Sequence, residues 1–414
     1  MKLVIIGAGA AGMMAAGRAL ENGAQVTVIE HARKTLLKLG ITGKGRCNLT
    51  NNTDVPGLVN NTPQGGRFLY GAFSRFNAQD VMAFFEARGV ALKTERGARV
   101  FPVSDRAFDI VDTLRSYAAD AQIVSAQAQR ITVENGRAAG VQTDRGFFKA
   151  DAVILATGGK SYPATGSDGS GYALASALGH TVTKPEPSLV PFNADRGLCA
   201  PLAGLSLKNV ELQVLRGGKV FWHEMGELLF THTGISGPIV LSASVHLRGE
   251  HEEKAEARLD LKPALDARQL DERILREIAQ APNIQFSNLV PKLLPKAMTA
   301  AICTASGIGP GEKLNMLTKE KRHMLVRSLK AFPLGTVSKR GFEEAVVTAG
   351  GVSTKQVNPK TMESKLIGGL YFAGEILDAD AYTGGFNLQI AWSTGRAAAD
   401  GACGTRDCEE EKWS

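Results

Sequence analysis

The first thirty residues constrain this chain more than any other stretch. Lys2 to Ile6 is a short β-branched run that reads as a buried strand. It runs directly into Gly7-Ala8-Gly9-Ala10-Ala11-Gly12. A helix of small residues follows to about Asn22, with Gly23 where a left-handed residue stops it. Gln25 to Ile29 is a second strand, and it ends in Glu30. Each glycine has a separate duty. Gly7 permits the tight turn, Gly9 keeps no side chain between backbone and a pyrophosphate, and Gly12 lets the helix pack close to the sheet. Ala10 and Ala11 open the helix, so their N–H groups and the positive end of its dipole face the phosphates. Glu30 accepts hydrogen bonds from ribose hydroxyls and repels a 2′-phosphate, which favours FAD or NAD over NADP. A glycine motif alone is weak, but strand, motif, helix, strand and terminal acid stand here at the right spacing.

Later segments choose between the two cofactors. A second glycine-rich, polar stretch runs from Gly40 to Asn51, after Arg33-Lys34. Taken alone it reads equally as a cofactor loop or a surface loop. Asp151 to Ala156 is a buried strand ending in Thr157-Gly158-Gly159, and Gly369 to Ala373 is another, ending in Gly374-Glu375. Asp378 follows, then Thr383-Gly384-Gly385-Phe386-Asn387 and a small-residue helix to Ala399. A last strand, a glycine and a final helix returning to the cofactor are what an FAD protein of the glutathione-reductase type needs. The N-terminus of that helix then faces the flavin pyrimidine and stabilises negative charge there.

Composition excludes other classes. The 414 residues include 46 glycines but only 16 prolines, and the glycines have no period of three, so neither collagen nor Pro/Gly low complexity applies. Hydrophobic residues at 44% and charged residues at 21% describe a folded chain, long enough for two domains. The net charge of +7 comes without a long basic run; the densest are Lys319-Glu320-Lys321-Arg322 and Lys339-Arg340. That reads as a mildly cationic solvated face, so a small-molecule substrate is expected and no nucleic acid. The five cysteines (47, 199, 303, 403 and 408) form no CxxC or Cys/His cluster. Neither a metal site nor a disulfide frame is indicated, and a reducing cytoplasm fits. No apolar run reaches membrane length. Met1 to Leu20 imitates a signal peptide, but its glycines are spaced for the dinucleotide and the fold continues beyond them.

At this point the motifs name a family. The chain resembles the FAD-dependent oxidoreductases that include aminoacetone oxidase and the 3-dehydro-bile-acid Δ-reductases. The matching segments include Val4 to Gly12, Gly43-Lys-Gly-Arg-Cys-Asn-Leu-Thr-Asn51, Gly158 to Gly166, Phe230 to Pro238, Thr348 to Val352, Leu370 to Asp378 and Gly384 to Gln389. The resemblance implies that Gly45, Arg46, Cys47 and Asn48 lie by the cofactor, and that Ala128 presents its backbone to the adenine. It also implies that Thr157, Gly158, Gly374, Glu375 and Asp378 follow the pyrophosphate and ribitol, with Asn387 and Leu388 near the flavin. The sequence departs from the family pattern at Lys44, where many relatives carry a small residue, and at Phe386, where many carry tyrosine.

The expected fold is α/β: a Rossmann-like FAD-binding domain with an inserted β-barrel and a small helical domain. The FAD-binding domain takes 1–187 and 340–414, and the insert 188–339. Val210, Leu212 and Val214 alternate with polar residues, as do Ala255, Ala257, Leu259 and Leu261, so the barrel part occupies about 188–262. Helical patterning takes over from about 263 to 333. Leu270, Ile274 and Ile278 share one face, a second helix spans about Leu289 to Ala305, and a third about Thr318 to Phe332. The acidic end at Glu409-Glu-Glu411 reads as a frayed tail.

No second dinucleotide fingerprint is present. Gly166-Ser-Asp-Gly-Ser-Gly171 follows a loop and reads as a turn opening a helix. A nicotinamide donor, NAD(P)H, therefore visits the flavin transiently, or the substrate itself reduces it. Tyr162, His232 and Tyr382 are the candidate catalytic acids or bases. Three functions are compatible with these residues. The first is reduction of a conjugated C=C bond in a hydrophobic, steroid-like carbonyl compound. The second is oxidation of a small amine with release of hydrogen peroxide, and the third is a non-catalytic or RNA-associated flavoprotein.

Overall fold

Short apolar runs pair in parallel when both faces of the resulting sheet are covered by helices. Five such runs do so in the computed structural model, which describes residues 1–249 and 255–404. Their order across the sheet is Leu370–Phe372, Ala152–Leu155, Lys2–Ile6, Gln25–Glu30 and Gln122–Ser125. Ile6 is level with Leu155 on one side and Ile29 on the other, and Leu155 with Phe372. The register brings Gly7, Glu30, Ala156 and Ala373 to one edge of the sheet. That carboxyl edge is where an open α/β sheet binds its ligand.

Two helices flank this edge. Ala10–Glu21 starts from Gly9 and ends at Asn22, with Gly23 left-handed beyond it (φ 77°). The final helix, Phe386–Cys403, packs against it through glycine: a Cβ on Gly395 would lie 2.5 Å from the Ala11 carbonyl oxygen. Trp392 of the final helix is fully buried, donates to the Leu49 carbonyl (2.8 Å) and meets Phe85 edge-on.

The chain divides into two units, one comprising Met1–Ser188 and the chain from Phe342 onward, the other Leu189–Gly341. The first also holds a three-stranded antiparallel ribbon, Ala128–Glu134, Arg137–Thr143 and Gly146–Lys149. It also holds the antiparallel pair Val182–Ser188 with Val347–Val352 and a small antiparallel sheet of Thr50–Asn51, Arg99–Pro102 and Leu92–Glu95.

The second unit is built on a seven-stranded antiparallel sheet. Ser206–Arg216 pairs with Lys219–Thr231 and with Ala255–Asp260, and Leu212 is level with Leu259. The alternating residues Val210, Leu212, Val214, Ala257 and Leu259 are buried, as a one-faced sheet requires. Phe332–Thr336 pairs with Ala255–Asp260 at one edge, and Ser338–Lys339 with Phe192–Asn193 at the other. One continuous segment thus joins both edges of the ladder, with Val337 between its two pairings.

Three local expectations are corrected. Leu289 to Ala305 is two helices, Phe286–Leu293 and Thr299–Ser306, rather than one. Pro295 forces Leu294 into an extended conformation (φ −140°, ψ 167°), which ends the first. Phe332 belongs to a strand, because the preceding helix Lys319–Lys330 stops at Ala331; Pro333 is tolerated since its strand is the outermost. Pro238–His246 is a helix inside the stretch read as β, started by Pro238 at its first position. The acidic stretch Glu409 to Glu411 lies outside the described residues. Among the described residues no helix is long and apolar enough to cross a membrane.

Candidate active site

Gly7 is left-handed (φ 104°), and its N–H donates to the Ile29 carbonyl (2.8 Å). A Cβ there would lie 2.5 Å from the Ala156 carbonyl oxygen, and one on Gly12 1.9 Å from the Gly7 carbonyl oxygen. These two glycines therefore serve backbone packing. Gly9 is different: nothing stands within 4 Å of a Cβ there, and its backbone is ordinary extended (φ −82°). It caps the helix with no side-chain hydrogen bond, so the opening N–H groups remain available to a ligand. Glu30 is gripped by its own loop, accepting from Ala8 N–H (2.8 Å) and Ala32 N–H (2.7 Å). The remaining lone pairs of its carboxylate suit ribose hydroxyls.

These groups open onto a cavity in the first unit. Gly7, Gly9, Ala10, Ala11, Glu30, Thr157, Gly158, Gly374, Glu375, Asn387 and Leu388 all line it. Leu36, Leu37, Leu39, Val346, Val347 and Ile390 supply apolar wall. Ala128 lies in a smaller adjoining cleft with Gly7, Glu30 and Thr157.

Two glycines precede the helix that carries Asn387 and Leu388. Gly384 and Gly385 have φ of 125° and 101°, and a Cβ on Gly385 would lie 2.3 Å from the Thr50 backbone. The final helix starts immediately after them. Asn387 spends its side chain on the loop before it, accepting from Ala381 N–H (3.0 Å) and donating to the carbonyls of Ala381 (2.9 Å) and Tyr382 (3.3 Å).

Several expected residues stand elsewhere. Gly12 is behind the phosphate loop. From Gly40 to Asn51 only Thr42 and Gly40's neighbour Leu39 approach the wall, whereas Gly45, Arg46, Cys47 and Asn48 are not part of the lining. The Arg46 guanidinium is committed to Glu95 and Asp105 and stacks on Phe101. Cys47 is fully buried, and that burial pushes its thiol up to about 12, so it stays protonated. Lys44 is exposed and left-handed (φ 58°), a conformation that favours a small residue, so its charge stands outside the cavity wall. Asp378 accepts from Thr183 Oγ1 (2.7 Å) and Gln64 Nε2 (3.4 Å) instead of lining the cavity. Phe386 is buried in the core.

The three candidate acids are scattered. Tyr162 is left-handed (φ 52°), with its N–H on the Phe342 carbonyl (3.1 Å). Tyr382 sits on the loop held by Asn387, and its N–H donates to the Asn61 carbonyl (3.0 Å). His232 is exposed at the turn between Lys219–Thr231 and Gly234–Ser236 of the second unit.

One polar cluster on the wall was not anticipated. Lys38 Nζ donates to Glu375 Oε2 (2.9 Å) and to Ser161 Oγ (2.5 Å). Ser161 Oγ and the Thr348 N–H donate to Glu375 Oε1 (2.9 and 2.7 Å). The only signal in the sequence is a lone lysine inside Leu36-Leu-Lys-Leu39. Burial works to raise the Glu375 pKa, but Lys38 and the hydrogen bonds outweigh it and hold the carboxyl below the usual range. A depressed folded pKa contributes stability above the unfolded value and loses it as pH falls. Glu375→Gln should therefore flatten the acid limb of the stability–pH curve below about pH 4.5. Denaturant melts of both proteins between neutral and acid pH check this, and parallel acid limbs contradict it.

The residues present fit an extended dinucleotide. The helix start is uncapped by any side chain, the space at Gly9 is open, and Thr157 Oγ1 on the wall is buried with no protein partner. Among the described residues no group of three His, Cys, Asp or Glu is placed to hold a metal ion.

Known proteins share this architecture. Residues 1–401 match the family model described as HI0933-like protein Rossmann domain. A 3-dehydro-bile acid delta(4,6)-reductase from Clostridium scindens is 33% identical over 410 residues, 96% of this chain and 99% of that protein. A ribosomal RNA dihydrouridine synthase from Haemophilus influenzae is 33% identical over 405 residues, 96% of this chain and 97% of that protein. Among solved structures, a 3-ketosteroid-delta4-(5alpha)-dehydrogenase from Rhodococcus jostii has a TM-score of 0.51 at 15% identity, covering 96% of both chains. That last likeness is one of fold.

Proposed function

The chain belongs to the HI0933-like family of FAD-dependent oxidoreductases, and from that premise we propose that it reduces a C=C bond conjugated to a carbonyl group, with NAD(P)H as transient electron donor. One observation carries the reading. The two end-to-end relatives are named for substrates as different as a bile acid and a ribosomal RNA base. What the two names share is saturation of a double bond next to a carbonyl. Our first reading of the substrate is a small hydrophobic, steroid-like enone.

Bound FAD supplies the hydride chemistry. The chain's own residues bind, orient and exclude water. Glu30 receives the ribose, and the N–H groups of Ala10 and Ala11 face the pyrophosphate. Gly158 and Gly374 let backbone approach the cofactor closely, and Thr157 Oγ1 gains a partner there. The start of the final helix, with Asn387 and Leu388 on the cavity wall, would offer its positive dipole end to the flavin. The leucine and valine side chains on the wall would help to exclude water around a bound cofactor, which would strengthen each of these electrostatic contacts. The reaction also needs a proton on the substrate carbon. Two of the three candidates are tied to cavity-lining side chains through their carbonyls, Tyr162 to Thr165 and Tyr382 to Asn387, and Tyr382 is the one joined to the start of the final helix.

A second reading places the double bond in a uracil ring of RNA. It is favoured by where the charge lies: 189–341 holds 21 Lys and Arg against 15 Asp and Glu, most of the net +7. A net positive charge in this segment would favour binding to a phosphate backbone.

The test is anaerobic. NAD(P)H should bleach the flavin, and a 4-en-3-oxo steroid acid should restore its colour with formation of the saturated product. Tyr382→Phe should slow that second step and leave FAD bound. Formation of dihydrouridine in transcribed ribosomal RNA, with no turnover of the steroid, would select the second reading. Bleaching by a small amine but not by NAD(P)H would overturn both in favour of an amine oxidase.

A further inference from the structure

Four segments distant in sequence meet around an ion pair whose two members, Lys38 and Glu375, line the cavity. Lys38 comes from the short helix Leu37–Ile41, Ser161 from the loop after Gly158-Gly159, Thr348 from Val347–Val352, and Glu375 from the turn after the last parallel strand. Their hydrogen bonds form a closed ring. Lys38 donates to Ser161 and Glu375, Ser161 donates onward to the other carboxylate oxygen, and the Thr348 N–H supplies a second donor there. Thr348 Oγ1 in turn accepts from the N–H groups of Lys160 (2.8 Å) and Ser161 (3.1 Å), which fixes the loop carrying the hydroxyl.

Both oxygens of Glu375 are thus occupied by donors. Such a carboxylate is held in its charged form, because each of these donors favours the anion. What the ring provides is a pair of opposite charges, partly buried on the wall of the cavity that would hold the cofactor. Removing either partner of such a pair leaves the other uncompensated. A charge beside a redox centre in a partly water-excluded cavity acts with less screening than one on the surface.

We propose that the Lys38–Glu375 pair sets the reduction potential of the bound flavin. Reduction adds electron density to the isoalloxazine, so an extra negative charge on the wall opposes it and an extra positive charge favours it. The intact pair keeps the wall near neutral. The inference rests on bound FAD and not on which double bond is reduced.

The midpoint potential of the purified holoprotein, by dye equilibration across about pH 6 to 9, tests it; the range is wide enough to show protonation of an uncompensated carboxylate as a bend. Lys38→Met should shift the potential to more negative values, and Glu375→Gln, which keeps an acceptor for Thr348 and Ser161, to more positive values. Lys38→Arg should stay near the parent protein, and the double variant should return toward it. A purely structural role moves both single variants in the same direction or neither, and that result overturns the proposal. Should Lys38→Met fail to retain FAD, the sign for Glu375→Gln decides alone, and a negative or absent shift overturns it. A failed substrate assay with correctly signed shifts would sink only the proposed substrate.

Discussion

Gly9→Asp is expected to abolish FAD binding while leaving the apoprotein as stable as the parent, and Gly12→Ala to lose both. The two positions are three residues apart in one motif, yet they fail for opposite reasons. A Cβ at Gly9 enters open space from an extended backbone. Aspartate there caps its own helix, which relative to glycine adds only about 0.3 kcal/mol of helix stability. Its carboxylate then takes the N–H groups meant for phosphate and repels the phosphate charge, so affinity should fall by roughly 100-fold or more, about 2.7 kcal/mol. A methyl group at Gly12 would lie 1.9 Å from a backbone carbonyl oxygen, so the helix or the loop must move. Overpacking against backbone costs roughly 3 kcal/mol. Thermal melts of the apoproteins with FAD titration separate the two. Equal destabilisation of both variants would show that the motif is only a packing device.

Trp392→Ala should destabilise the protein by about 3–5 kcal/mol, as expected for a large aromatic removed from a core. Its ring is fully buried against Phe85, and its Nε1 holds the Leu49 carbonyl. Truncation leaves both a cavity and an orphaned acceptor beside Thr50, whose backbone touches the Gly385 turn. FAD affinity should therefore fall along with stability, since the start of the final helix is seated there. Trp392→Phe, which fills most of the space and loses only the donor, should recover most of the stability. Chemical denaturation of the three proteins checks the order, and an Ala variant within about 1 kcal/mol of the parent would contradict it.

The legible parts of the site share one property: their function depends on local chain geometry. Gly7, Gly9 and Gly12 act within one turn, and Glu30 within one strand of it. Thr157, Gly374 and Asn387 were legible because each stands next to a strand end or a helix start. The stretch from Gly45 to Asn48 was less so. Its residues have the composition of a cofactor loop, but Arg46 found Glu95 and Asp105, and Cys47 was drawn into the core. Which polar partner a guanidinium meets is decided by segments fifty residues away. Lys38 and Ser161 were invisible for the same reason, since their partner Glu375 is hundreds of residues on.

The sequence by itself determined the dinucleotide loop, the parallel strands around it, the return of a final helix, and the alternation that builds the second unit's sheet. Those follow from backbone sterics and from hydrophobic period, which are written along the chain. Only the tertiary structure decided that Gly9 faces open space while Gly12 faces a carbonyl, and that Asp378 is spent on Thr183. It also decided that a lysine, a serine and a glutamate close a charged ring on the cavity wall. Period and propensity carry no information about which distant side chains meet, because pairing is settled by how whole elements pack and not by any one of them.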